Sequence, residues 1–240
     1  MLIDLLLAGE KALIVGEGQE PEFKALKLLD SRAKVTVVGR SFTGGLLRLA
    51  SSRKGQVRLI SAEPTKDVIL RTVRELRPRV VFISTGRPEL DEELSGAVRR
   101  RDWRAALVCV VDEPRLNDFN MPAIAKKGDI RVGVSTGGRS PAMAAALRRK
   151  IEKVITRQDV LQVRLQGHIR KASRSRLADA ESRKEFACRV MRDKTVGALL
   201  KKEGYAEARR LAEKMLRETT AVAGPTEGPP RKRKGVTRHG

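Results

Sequence analysis

Residues 11–41 read KALIVGEGQEPEFKALKLLDSRAKVTVVGRS, and their pattern decides the fold. Lys11–Val15 is a short apolar run with the look of a buried strand. Gly16-Glu17-Gly18 follows at once, and a helix is expected from Glu20 to Leu29, with Phe23, Leu26 and Leu29 on one face. Val35–Val38 is a second buried strand, ending at Gly39-Arg40-Ser41. A strand, a glycine turn, a helix and a second strand form the front end of a dinucleotide-binding βαβ unit. Glycine is needed there because the backbone must turn tightly and approach a pyrophosphate held by helix N–H groups. The match is partial. Pro21 stands at the third small position of Gly-x-Gly-x-x-Gly, and Arg40 stands near the place of the usual ribose-binding acid. Because an arginine there can accept a 2′-phosphate, NAD and NADP both stay open.

The alternation continues. Val57–Ile60 is a third strand, Asp67–Leu76 a helix stopped at Arg77-Pro78, and Val80–Ser84 a fourth strand ending at Thr85-Gly86. Leu90–Arg101 is a helix and Leu107–Val111 a fifth strand. Strands alternating with helices argue for a parallel α/β sheet covered on both faces. Asp112 then ends the fifth strand on the edge that carries Thr85 and the glycine turn, where open sheets bind ligands. Beyond it come a Pro-bearing loop, a β-rich run at Ile130–Val134, and Ser135-Thr136-Gly137-Gly138. Ser140-Pro141 starts a helix, with Ser as cap and Pro at the first helical position. From there the pattern is helical: Ala142–Ile155, Val160–Lys171, Ala178–Met191, Thr195–Lys202 and Tyr205–Arg217. Leu199, Leu200, Leu211, Met215 and Leu216 read as core. The last stretch, GPTEGPPRKRKGVTRHG from Gly224, reads as a disordered basic tail.

The 240 residues carry a formal net charge of +22. The excess is uneven: 20 basic and 15 acidic residues in 1–112, against 31 and 14 in 113–240. A basic surface attracts polyanions, from nucleic acid to a small polyacidic substrate. Nucleic acid is the weaker reading, since no helix-turn-helix signature or zinc spacing is present and only 3% of residues are aromatic. Two unclustered cysteines, Cys109 and Cys188, fit a reducing, cytoplasmic compartment and no disulfide framework. With two histidines, no metal cage is readable. No apolar run is long enough to span a membrane, and MLIDLLLAGEK, with an acid inside a short apolar run, does not read as a leader.

Four segments bring a family into view: VGEGQEPEFKALKLL (15–29), ISTGRPELDEEL (83–94), VVDEPRLNDFNMPAI (110–124) and VSTGGRSPAMAAALRRKIE (134–152). In them, and in the helical region to about residue 219, the chain resembles the precorrin-2 dehydrogenase and sirohydrochlorin ferrochelatase family of sirohaem synthesis. The Asp-x-Pro, Phe-x-x-Pro-Ala and Ser-Thr-Gly-Gly-x-Ser-Pro-Ala elements are the specific part.

The resemblance implies a Rossmann-type parallel-sheet NAD-binding domain (1–112), a segment for dimerisation and the active site (113–150), a small all-helical domain (151–222) and the tail (223–240). It implies NAD-dependent oxidation of precorrin-2 to sirohydrochlorin by a homodimer, and in some members Fe²⁺ insertion as well. The essential acid falls on Asp112, here the candidate general base. Nucleotide contacts fall on Gly16, Gly18, Gln19, Glu20, Arg40, Ser41 and Thr85, and substrate contacts on Ser135, Gly137 and Gly138. Thr136 falls where a bacterial relative has a serine implicated in the active site. Glu17 and Pro21 replace the more usual Gly and Ala, Thr85-Gly86-Arg87 replaces Thr-Asp-Asp, and Cys109 and Asn117 replace Asn and Cys. The altered turn leaves a second reading open: a non-catalytic tetrapyrrole- or nucleotide-binding protein of the same fold.

Overall fold

The computed structural model describes residues 2–99 and 106–222, which divide into two compact units, up to Met121 and from Pro122 onward. In the first, five strands alternate with four helices: β1 Lys11–Gly16, α1 Gln19–Asp30, β2 Lys34–Gly39, α2 Gly44–Ser52, β3 Val57–Ser61, α3 Lys66–Leu76, β4 Val80–Ser84, α4 Pro88–Arg99 and β5 Leu107–Val110. All strand pairings are parallel, in the order β3-β2-β1-β4-β5. Successive residues point to opposite faces, so each strand feeds two cores. Ala12, Ile14, Val35, Val37, Phe82 and Cys109 meet α1 and α2 through Ala25, Leu28 and Leu46. Leu13, Val15, Val38, Val81, Ile83, Val108 and Val110 meet α3 and α4 through Ile69, Val73, Leu94 and Val98. Burial pushes the Cys109 thiol above its ordinary value, which fits a packing role.

Three expectations need correction here. The buried face of α1 is Pro21, Ala25 and Leu28, while Phe23 and Leu26 are 55% and 45% exposed. Pro21 and Ala25 let the helix axis approach the sheet, Leu28 and Leu29 pack on the core, and Phe23 and Leu26 are left outside. Second, α2 lies where no helix was expected. Its Gly44-Gly45 start resembles a loop, but Thr43 caps it by accepting the Leu46 N–H, and a Cβ on Gly45 would lie 1.9 Å from the Glu22 carboxylate. Third, β5 ends at Val110, one residue early, although the Val111 N–H still donates to the Ile83 carbonyl at 2.9 Å. The Arg100–Arg101 end of the expected helix lies outside the described residues.

The outer edge of β5 is closed by the loop that follows. A 3₁₀ turn at Pro114–Leu116 reverses the chain, and the Val108 and Val110 N–H groups donate to Asp118 Oδ2 at 2.8 Å and Asn117 Oδ1 at 2.6 Å. Arg99 holds Asp118 at 3.3 Å and also donates to the Leu116 carbonyl.

The second unit opens with a hairpin, β6 Ala123–Lys127 and β7 Ile130–Val134. Part of the expected loop is thus a strand, and the signal for it is Gly128-Asp129. Glycine takes φ +58° at the first position of this two-residue turn, which a side chain would resist. α5 Pro141–Val154 covers both strands. Four further helices, α6 Arg157–Ser173, α7 Ala180–Arg192, α8 Lys194–Lys201 and α9 Tyr205–Val222, bury Leu161, Leu165, Ile169, Phe186, Val190, Leu200 and Leu216 in one core. Leu199, Leu211 and Met215 pack against it, as expected. The expected disordered tail, 223–240, lies outside the described residues.

Three of these helices begin on side-chain caps, Thr156 for α6, Asp179 for α7 and Asp193 for α8. Thr156 and Asp159 form a reciprocal capping box, and Asp179 caps α7. Hydrogen bonds from Thr156, from Ser182, and from Arg209 and then His168 hold the carboxyls of Asp159, Asp179 and Glu213 below their ordinary values. A carboxyl depressed in the folded state stabilises it above the unfolded pKa and loses that contribution as pH falls through the folded value. The urea midpoint of the helical signal should therefore stay level, as far as these groups act, from pH 7 to 5 and drop as pH falls below about 4. Thr156→Ala should shrink that acid-side drop.

Candidate functional site

The register brings the carboxyl ends of β1, β4 and β5 level: Val15 pairs with Ile83 and Ile83 with Val110. β1 and β4 are also where the chain order reverses, the crevice where ligands bind in sheets of this kind. Gly16 lies at its floor with φ +147°, and a Cβ there would meet the Ser84 carbonyl oxygen at 1.9 Å. That glycine is required by the approach of two strands. Gly18 differs: φ is +79°, and nothing lies within 4 Å of where its Cβ would be. Gly18 is the N-cap of α1 and makes no side-chain cap hydrogen bond, so Gln19 and Glu20 open the helix with backbone N–H groups toward solvent. Glu20 pairs instead with Lys24 at 2.9 Å.

Arg40 and exposed Ser41 follow β2 on the same edge. Arg40 is not free to wait for a ligand. Glu17 accepts from its Nε at 2.7 Å, from its Nη2 at 3.3 Å and from its backbone N–H at 3.2 Å. Glu63, beyond β3, stands 3.3 Å from Arg40 and 2.7 Å from Arg87. The Arg40 hydrogen bond holds the Glu17 carboxyl below its ordinary value.

Thr85 follows β4. Its hydroxyl donates to Asp91 Oδ1 at 2.6 Å and its N–H to the same oxygen at 3.1 Å. Asp91, 5% exposed, is an acid that reading along the chain missed, although its spacing from Thr85, one helical turn beyond Pro88, was a usable signal. Asp112 follows β5, exposed, with φ +66°. Left-handed backbone in a non-glycine residue is uncommon, least so for Asp and Asn, and such strain gathers at functional sites. The Asn117–Asp118 clasp on β5 anchors the loop that carries it, a support with no local signature in the chain.

In the second unit, Ser135–Gly138 form the turn before α5. The Thr136 hydroxyl donates to the Ser140 carbonyl and accepts its N–H, both at 3.1 Å. Ser135 Oγ accepts the Gly137 N–H at 3.2 Å. Gly137 and Gly138 take φ +63° and +79° with open space at both Cβ positions. Among the described residues no three His, Cys, Asp or Glu side chains stand together to hold a metal ion, and no helix is long and apolar enough to cross a membrane.

A parallel sheet in this order, with a glycine turn and an uncapped helix at its switch point, defines a Rossmann-type nucleotide-binding unit. Residues 3–123 match a family model described as "Putative NAD(P)-binding", and residues 127–153 one described as "Sirohaem biosynthesis protein central". A precorrin-2 dehydrogenase from Methanosarcina barkeri is 32% identical over 195 residues, 79% of this chain and 82% of that one. The chain belongs to the family of precorrin-2 dehydrogenases and sirohaem synthases. A sirohaem synthase from Methylococcus capsulatus is 31% identical over 95% of this chain, and one from Aeromonas salmonicida 28% over 91%; the matched region is 44% of either synthase. The solved structure of SirC, a precorrin-2 dehydrogenase, superposes with a TM-score of 0.69 at 17% identity, over 89% of this chain and 99% of that one, a likeness of fold.

Proposed function

We propose that this protein oxidises precorrin-2 to sirohydrochlorin, with a dinucleotide seated on the Gly16–Glu20 turn and Asp112 as the base. One observation carries the reading: the uncapped start of α1 and the left-handed Asp112 share one sheet edge, two strand spacings or about 10 Å apart. That span suits a nicotinamide laid across β4 beside the acid.

The residues fit a dinucleotide. Open space at Gly18 admits a pyrophosphate to the N–H groups of Gln19 and Glu20, and Arg40 and Ser41 border the adenosine ribose. The hydroxyl of Thr85 is committed to Asp91, so Thr85 contributes backbone and shape. When bound, NAD⁺ supplies the hydride acceptor. Asp112 takes the proton that leaves as the substrate is oxidised. Ser135, Gly137 and Gly138 present a turn with no side chain over the two glycines, where a carboxylate of the substrate can approach, and Thr136 holds that turn closed. Precorrin-2 carries eight carboxylates, and the basic excess of residues 113–240 raises its local concentration. The same Asp112 can accept pyrrole N–H protons as Fe²⁺ enters the product, the second activity known in the family. Residues 113–150 then serve dimerisation; exposed Ile124 and Met143 support that role. The reading places the protein in the cytoplasm, with no membrane or nucleic-acid partner.

The test is anaerobic turnover of precorrin-2 with NAD⁺ or NADP⁺, followed by absorbance, and then addition of Fe²⁺. Sirohydrochlorin should appear with NAD⁺, and iron insertion above the protein-free rate would add the chelatase. A folded protein that binds a dinucleotide but oxidises nothing would instead be a carrier of the same fold.

A further inference from the structure

In a strand–turn–helix–strand unit, the residue that ends the second strand meets the adenosine ribose. An acid there accepts hydrogen bonds from the ribose hydroxyls, whereas an arginine takes a 2′-phosphate. Arg40 occupies that position, and alone it would favour NADP⁺. It is not alone. Glu17, the middle residue of the glycine turn, reaches it through three hydrogen-bonded contacts, and Glu63 adds a second carboxylate at 3.3 Å. Two carboxylates thus face one guanidinium, and Arg87 balances the second of them at 2.7 Å.

The charges decide what can enter. A phosphate monoester brings between about one and a half and two negative charges at neutral pH. At the 2′ position it would compete with Glu17 for a guanidinium already in use, and would lie against Glu17 and Glu63. Ribose hydroxyls bring no charge and can donate to the same carboxylates. Glu17 is the fixed member, 26% exposed against 61% for Arg40. The hydrogen bond from Arg40 keeps Glu17 ionised at neutral pH. Exposed ion pairs are weak, so the discrimination comes from two acids that repel phosphate rather than from a rigid lock.

We propose that Glu17, through its hold on Arg40 and together with Glu63, makes this site select NAD⁺ over NADP⁺. The assignment rests on the glycine turn being the dinucleotide site.

The test is calorimetric titration of NAD⁺ and NADP⁺ into the full chain without substrate, at low salt. Wild type should bind NAD⁺ at least about tenfold more tightly; Glu17→Gln should tighten NADP⁺ about tenfold while moving NAD⁺ less than about threefold. Glu63→Gln should act in the same direction, and adding Arg40→Ala to Glu17→Gln should remove the gain. Circular dichroism checks that each variant is folded. Wild type preferring NADP⁺, or a ratio unmoved in both folded glutamine variants, overturns the selectivity assignment and leaves the dinucleotide site intact. Binding of neither nucleotide to wild type overturns the site and this proposal together.

Discussion

Replacing Asp112 by asparagine is expected to lower kcat for precorrin-2 oxidation by a factor of about 10²–10⁴, the usual span for loss of a general base. The choice of asparagine matters. At φ +66° most side chains strain the backbone by about 1–2 kcal/mol, whereas asparagine shares aspartate's tolerance of that region. Asp112→Asn removes the proton acceptor and keeps the turn; Asp112→Ala removes both. The loop is also held from outside Asp112, by Asn117 and Asp118 on β5, so the substitution should leave the fold unchanged. Single-turnover kinetics under anaerobic conditions, with NAD⁺ affinity measured alongside, separates the outcomes. A slow variant with wild-type dinucleotide affinity supports the base. An asparagine variant that turns over at the wild-type rate removes Asp112 from the proton transfer.

Two glycines two residues apart should fail in different ways. Gly16→Ala places a Cβ 1.9 Å from the Ser84 carbonyl oxygen at φ +147°, so β1 and β4 must part or the turn must rebuild. Overpacking and backbone strain together should cost roughly 3–5 kcal/mol, enough to unfold a marginal domain. Gly18→Ala meets no atom within 4 Å and should cost only about 1–2 kcal/mol from its positive φ. Its methyl group points into the space a pyrophosphate would use, so its main effect should be on dinucleotide affinity. Urea midpoints and NAD⁺ titrations of the two variants form a two-by-two comparison. If Gly16→Ala is as stable as wild type, the strand contact is softer than its geometry implies; if Gly18→Ala binds NAD⁺ normally, the pyrophosphate lies elsewhere.

The five strands of the sheet were legible because each is a run of apolar residues ended by a turn signal, and a parallel strand buried on both faces leaves little else it can be. What escaped were features set by neighbours distant in sequence. At the start of α2 the Glu22 carboxylate occupies the space a side chain on Gly45 would take, a contact between helices that no local pattern records. Ala-Ile-Ala-Lys-Lys is a weak strand by itself, and β7 supplies the register that makes it β6. Apolar spacing alone puts Phe23 and Leu26 on the inner face of α1, but close approach to the sheet selects Pro21 and Ala25 instead. At the site, the glycine turn and Asp112 were visible from spacing. Glu17 stands out as a departure from the family pattern and Arg40 as a departure from the ribose-binding acid of the βαβ unit; their pairing needs the third dimension. So do the pairing of Glu63 with Arg87, across the ends of β3 and β4, and the bond from Thr85 to Asp91 inside α4.

The clasp on β5 has a consequence beyond the site. Leu107–Val110 is a short, highly apolar strand at the margin of an otherwise buried sheet, the kind of segment that templates cross-molecular assembly. Here its outward N–H groups at Val108 and Val110 are consumed by the side chains of Asn117 and Asp118, and the Asp118 N–H takes the Val108 carbonyl. No incoming chain finds that row of donors vacant. The loop that carries the candidate base therefore also closes this edge to strand addition, the route by which exposed edge strands join one molecule to another.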